Sequence, residues 1–100
     1  MISRMGLRDE HNFDLLVNEA ERLVIEELER QLGTRPEVCR CEDCVLDMAA
    51  YALNNVRPCY RVSLMGTLYA HAIEQTDYVK AVKKAVFDAV EKITSNPSHD

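Results

Sequence analysis

Cys39, Cys41 and Cys44 fall within six residues, and a fourth cysteine, Cys59, follows the segment after them. Residues two apart on extended chain point the same way, which aligns Cys39 with Cys41. Residues three apart across a helix start are neighbours, which brings Cys44 to Cys41. Three sulfurs therefore converge with little backbone strain. Structural zinc takes four protein donors in a closed tetrahedron, and sulfur is the commonest of them. The spacing accordingly assigns one zinc ion to Cys39, Cys41, Cys44 and Cys59. A closed site of this kind has no position for an activated water, so its chemistry is that of a staple.

Cys59 is the difficult ligand. A helix of 13 residues between Cys44 and the return segment spans roughly 20 Å, so the chain must fold back to deliver it. The other candidates for the fourth position are Asp43 or Asp47, a histidine of the same chain (His11, His71 and His99 are all distant in sequence), or the partner subunit's Cys59 in a two-fold dimer. The helix dipole is expected to lower the Cys44 thiol pKa, and Arg40, Arg57 and Arg61 are the nearest formal counter-charges to a cluster of thiolates. Plain core cysteines are the competing reading, but Arg40, Glu42 and Asp43 among them argue against a packed interior. A thioredoxin-type redox pair calls for a βαβ unit, which the sequence lacks.

The elements that position these residues are helical. Phe13, Leu16, Val17, Ala20, Leu23, Val24, Leu28 and Leu32 recur at spacings of three and four, which predicts an amphipathic helix from Asn12 to Leu32, closed by a left-handed cap at Gly33 and ended by Pro36. A second helix should start just after Cys41, with Glu42 and Asp43 in its first turn and Val45, Met48, Ala49, Ala52, Leu53 and Val56 on its apolar side. Asn54-Asn55 and Pro58 end it. Alternation from Cys59 to Leu64 predicts an extended piece, and Gly66 a turn. A short helix around Leu68 to Ile73 precedes a longer one, capped by Thr76, that carries Val79, Val82, Val86, Ala89, Val90 and Ile93 and stops at Asn96-Pro97. Ser98 to Asp100 should fray. The predicted fold class is all-α: a single domain over residues 1–100 with three to four helices and one irregular, zinc-binding connection.

Composition narrows the function classes. A chain of 100 residues buries roughly 60–70% of its unfolded surface, so a metal staple or a dimer interface would help it. The net charge of −5 excludes bulk attraction to a nucleic-acid polymer. Residues 1–34 hold eight acids against four arginines, whereas residues 35–61 balance four against four. Any anionic ligand must be small and must use this middle segment. No secretory signal and no apolar run of membrane-spanning length is visible, which predicts a cytoplasmic protein that does not enter a membrane. Nor is there a triad, a carboxylate pair or an open metal position, so no enzyme is expected.

On the second helix Cys44, Asp47, Tyr51 and Asn54 form one stripe, read from spacing as a solvated face. Joined to Arg57-Pro58-Cys59-Tyr60-Arg61, it offers two guanidinium groups for phosphate and a ring on which a base can stack.

The run Val38-Cys39-Arg40-Cys41-Glu42-Asp43-Cys44, with Asp47, Ala50 to Asn55, Pro58, Tyr60, Val62 and Gly66 to Ala70, resembles the late-competence ComFB family. Asn12, Val17, Glu19 and Glu26-Glu27-Leu28 resemble its first helix, and the likeness covers about residues 12–72. The resemblance implies an all-helical homodimer with a cysteine-bound structural zinc, linked to competence or surface motility. It also implies a receptor for the second messenger cyclic di-GMP, as in cyanobacterial members that lack the cysteines. By position the ligand residues would be Asn12, Asn54, Pro58 and Tyr60. This chain departs from the cyanobacterial form in reading His11-Asn12-Phe13 where that form is basic and aromatic, and Val56-Arg57-Pro58 where it has Leu-Pro-Pro. Phosphate neutralisation would then fall to Arg57 and Arg61. The alternative is an interaction module of the same fold that binds no nucleotide.

Overall fold

The computed structural model describes residues 6–62 and 77–97. In chain order these form a one-turn helix α1 (Leu7–Glu10), a 3-10 turn (Phe13–Leu15), strand β1 (Val17–Asn18), helix α2 (Glu19–Gly33), helix α3 (Glu42–Leu53), strand β2 (Tyr60–Arg61) and helix α4 (Asp77–Ser95). The fold is all-α with one small two-stranded ribbon. The expected Gly66 turn, the Leu68 to Ile73 helix, the Thr76 cap, the Ser63-Leu64 end of the extended piece and the frayed tail lie outside the described residues.

The first helix is shorter than periodicity predicts. Asn12 accepts a hydrogen bond from the Asp14 N–H at 3.0 Å and Asn18 from the Ala20 N–H at 3.1 Å, so two side-chain caps divide the segment. Phe13 and Leu16, counted on the sequence as core, are exposed. Between the caps Val17 and Asn18 pair antiparallel with Arg61 and Tyr60 respectively. A helix through this segment would forfeit that ladder. At the other end of α2 no described residue has a positive φ, so the expected left-handed cap at Gly33 is absent. Thr34 closes the helix instead, its N–H donating to the Gln31 carbonyl at 3.1 Å and its hydroxyl to the same carbonyl at 2.8 Å, while the Arg35 N–H donates to the Leu32 carbonyl at 3.1 Å.

Each long helix buries a row at four-residue spacing: Ala20, Val24, Leu28 and Leu32 on α2; Cys44, Met48 and Ala52 on α3; Tyr78, Val82, Val86 and Val90 on α4. Such rows are the ridges that interdigitate when helices pack, and α2, α3 and α4 all contact one another. Ala85 and Ala89 of α4, and Val38, Val56 and Cys59 from the connections, join these rows in the core of the described residues.

Polar pairs fix the helices in register. Buried Glu27 is held by Arg30 at 2.5 Å and Gln31 at 2.8 Å, and Gln31 also donates to the Lys83 carbonyl of α4 at 3.1 Å. Arg35 contacts Glu91 of α4 at 2.5 Å and Glu37 at 3.2 Å, which ties the α2–α3 connection, and the cysteines in it, to the C-terminal half of α4.

Candidate functional site

Cys41 is the N-cap of α3: its Sγ accepts from the Cys44 N–H at 3.4 Å. With Glu42 and Asp43 in the first turn, the helix starts where the sequence predicts. The Sγ atoms of Cys39, Cys41 and Cys44 lie within 4.8 Å of one another. A tetrahedral ion with metal–sulfur bonds of ~2.3 Å needs its sulfurs ~3.8 Å apart, so a shift of about 1 Å at most closes the three on zinc. The donor set is soft and already convergent, and it fits the metal.

Cys44 is 1% exposed and faces the core beside Met48, not the solvated stripe expected from spacing. Asp47 and Tyr51 are half-buried, and Asn54 is exposed as the C-cap of α3. Burial also reverses the expected effect of the helix dipole. It pushes the Cys44 thiol up to about 12, with the Cys41 and Cys39 sulfurs adding to the rise. The Cys39 thiol is lowered, first by a backbone hydrogen bond from Cys41 and then by the Cys41 side chain. A divalent cation held here would displace the thiol protons to solvent, and its charge would make burial of the resulting thiolates tolerable.

Cys59 does not join this group. Its N–H donates to Asn18 Oδ1 at 2.7 Å and its carbonyl accepts from the Glu19 N–H at 2.7 Å, which seats it at the N-terminal end of α2. Burial, and next the charge of the neighbouring Cys59, push the Tyr78 phenol up, while Arg57 pulls it down, so Cys59 sits beside the first turn of α4. The cavity at the other three cysteines is lined by Ile93, Thr94 and Pro97, at the last turn of α4. Roughly 22 Å of helix separates the two ends. The chain does fold back, but to the wrong end.

The residues expected to bind a ligand gather around β2. Tyr60 is 61% exposed and Pro58 is exposed beside it. Arg57 lies over the Tyr78 ring at 5.5 Å, and its carbonyl accepts a hydrogen bond from the Tyr78 hydroxyl. Arg61 is half-buried with its Nε 3.3 Å from Glu19 Oε2. Asn12 caps the 3-10 turn. Arg57 and Arg61 lie at the Cys59 end and not at the three-cysteine cluster, so of the expected counter-charges Arg40 alone stays in the cluster's segment.

Sequence reasoning missed Asn18, Glu19 and Tyr78. Asn18 followed three residues on by Glu21 is a capping-box pattern that could have located the start of α2. Glu19 looked like one of many surface acids, yet it is 3% exposed and paired with both Arg22 and Arg61.

A small all-α domain with a three-cysteine, metal-ready cluster at the start of a helix is the class that this fold and site define. The model of the family described as late competence development protein ComFB matches residues 17–97. The chain belongs to that family. Asn12 lies outside the matched residues. No curated protein matches the chain as a relative. Among the described residues no helix is long and apolar enough to cross a membrane.

Proposed function

We propose that this chain is a zinc-stapled cytoplasmic signalling module without enzymatic activity, acting as a homodimer. The observation that carries the staple is the convergence of Cys39, Cys41 and Cys44 within 4.8 Å, with Cys44 set into the core. A metal at this point ties the α2–α3 connection to α3 and so to the packed ridges, which is folding energy and not catalysis. For the dimer, the supporting surface is the open α2–α3 groove, where exposed Ile25 and Leu46 flank Leu28, Leu32, Val45 and Ala49. Glu29 and Arg40, of opposite charge, share that groove, and a two-fold copy can pair them reciprocally.

The ligand assigned to the β2 edge is a cyclic dinucleotide, cyclic di-GMP being the one that the family likeness implies. Support comes from the exposed Tyr60 ring with Pro58, Arg57 and Asn54 at the same end of the domain. The two arginines differ in what it costs to recruit them. An exposed cation–π contact is worth about 0.5–1 kcal/mol, less than the ~1.5–3 kcal/mol of a charge-assisted phosphate contact, so Arg57 can leave Tyr78 for a phosphate. Arg61 is committed to a buried carboxylate and serves the site as a support. Competence or motility control would follow from the dimer changing its protein partner on binding.

Calorimetric titration of the zinc-loaded protein with cyclic di-GMP tests this. Saturable heat that Tyr60→Ala and Arg57→Ala abolish, with the fold intact, is the expected result. Absence of heat at high micromolar ligand overturns the receptor reading and leaves the second one, a nucleotide-free interaction module, which the engagement of both arginines by Tyr78 and Glu19 favours.

A further inference from the structure

The three clustered sulfurs differ in access. Cys39 and Cys41 are exposed, whereas Cys44 is buried. Thiols that respond to oxidants are accessible and stand beside a second thiol that resolves them, while fully buried ones are inert. Cys41 and Cys44 together make such a pair. The Cys41 Sγ lies over the first turn of α3, where the Cys44 N–H donates to it at 3.4 Å. Their sulfurs are within 4.8 Å of each other. A disulfide of ~2.05 Å therefore requires a closure of about 3 Å at most, which rotation of two short side chains about χ1 supplies. We propose that the cluster is a redox switch: hydrogen peroxide joins Cys41 to Cys44 in a disulfide that opens the zinc staple, and a dithiol reductant restores it. The inference rests on the zinc reading.

The exposed Cys41 sulfur attacks one peroxide oxygen and the O–O bond breaks, leaving a sulfenic acid and one water. The Cys44 sulfur then attacks the Cys41 sulfur, the S–O bond breaks and a second water leaves. Two thiols are thus oxidised and one peroxide is reduced to two waters. The two protons come from the thiols, or from solvent where a metal had displaced them. Of the cluster, Cys39 alone remains a donor, too few for a closed site, so the metal is released. Other pairings are disfavoured. Cys39 and Cys41, two residues apart on extended chain, have Cα atoms ~6.6 Å apart, at the outer limit of disulfide geometry. Cys59 is held at the far end of α4 through Asn18 and Glu19. Arg40, between Cys39 and Cys41, lines the α2–α3 groove, so opening the staple loosens one wall of the surface assigned to the second copy.

The test treats the zinc-loaded full chain with excess hydrogen peroxide, follows zinc release with a colorimetric chelator, counts thiols after denaturation and maps the linkage by peptide mass. A protease that cuts at Glu42 or Asp43 separates the two cysteines, so their bond is directly visible. Loss of the bound zinc together with two of the four thiols, a Cys41–Cys44 linkage, and recovery on adding dithiothreitol and fresh zinc are the expected results. Cys39→Ser and Cys59→Ser should still form the linkage. Retention of zinc and of all four thiols, irreversible oxidation to sulfinic acid without a disulfide, or a disulfide that involves Cys39 or Cys59 overturns the proposal while the staple stands. A wild-type chain that takes up no zinc overturns both. Because the mapping uses wild-type protein, the result holds even if a variant fails to fold.

Discussion

Asn18 Oδ1 accepts two backbone hydrogen bonds at once, from Ala20 in its own helix at 3.1 Å and from Cys59 at 2.7 Å, forty-one residues further along the chain. One side-chain oxygen thus caps α2 and locks the β1–β2 ribbon against it. It also fixes where Cys59 goes, and so keeps Cys59 from the three-cysteine cluster.

Replacing this residue, Asn18→Ala, removes a helix cap and orphans a part-buried N–H. Each is worth about 1 kcal/mol or more, so a loss of about 2–3 kcal/mol is expected. Thermal denaturation should register a drop of about 8–24 °C, at roughly 4–8 °C per kcal/mol for a domain of this size. A change within 2 °C would show the bond to Cys59 to be dispensable.

Glu19 gives the fold an acid limb. Burial pushes its carboxyl up, but Arg22 and Arg61 together outweigh burial and the net pKa is lowered. A carboxyl depressed in the folded state contributes stability above its unfolded value near pH ~4.3 and loses it as pH falls through the folded value. Glu27, lowered first by Arg30, acts in the same direction. Stability measured by urea unfolding should therefore fall below about pH 4.5, and Glu19→Gln should flatten that fall. Arg61→Ala should cost about 1–3 kcal/mol at pH 7, since Arg22 still holds part of the charge.

The cysteines should separate into two kinds by substitution. Cys44→Ser is expected to lose bound zinc and to lower helicity, because metal binding and folding are linked. Chelation of the wild type should produce the same change. Cys59→Ser should retain full zinc content in elemental analysis and lose only about 1 kcal/mol, from a hydroxyl placed where a buried thiol packed. Zinc loss in Cys59→Ser would return that residue to the metal site.

Tyr78 links the first turn of α4 to the segment before β2 through its bond to the Arg57 carbonyl. Tyr78→Phe keeps the ring under the Arg57 guanidinium and removes only the hydroxyl, so a cost of about 0.5–1.5 kcal/mol is expected. Tyr78→Ala also empties a buried site and should cost about 3–5 kcal/mol. Equal losses in the two variants would show that the hydroxyl, not the ring, matters here.

The three cysteines of the cluster, the start of α3 at Cys41, the stop of α4 before Pro97 and the buried rows on α2 and α4 were legible because they depend on local rules: cap chemistry, helical period and the placement of side chains two and three residues apart. The segment from Asn12 to Asn18 was misread because its apolar spacing suits a helix, whereas strand pairing with Tyr60 and Arg61 decides its conformation. Cys44 was placed on the wrong face for a similar reason. Spacing identifies a stripe, and only packing against α2 and α4 shows which side of it is dry.

The sequence by itself determined that three thiols must meet at a helix start, since that takes nothing beyond bond geometry over six residues. Which groups lie near them was decided by tertiary structure. Proximity between distant residues depends on how long helices run and which way they return. Here α4 runs from one end of the described core to the other, so its first turn keeps Cys59 at one end while its last turn reaches the three-cysteine cluster at the other.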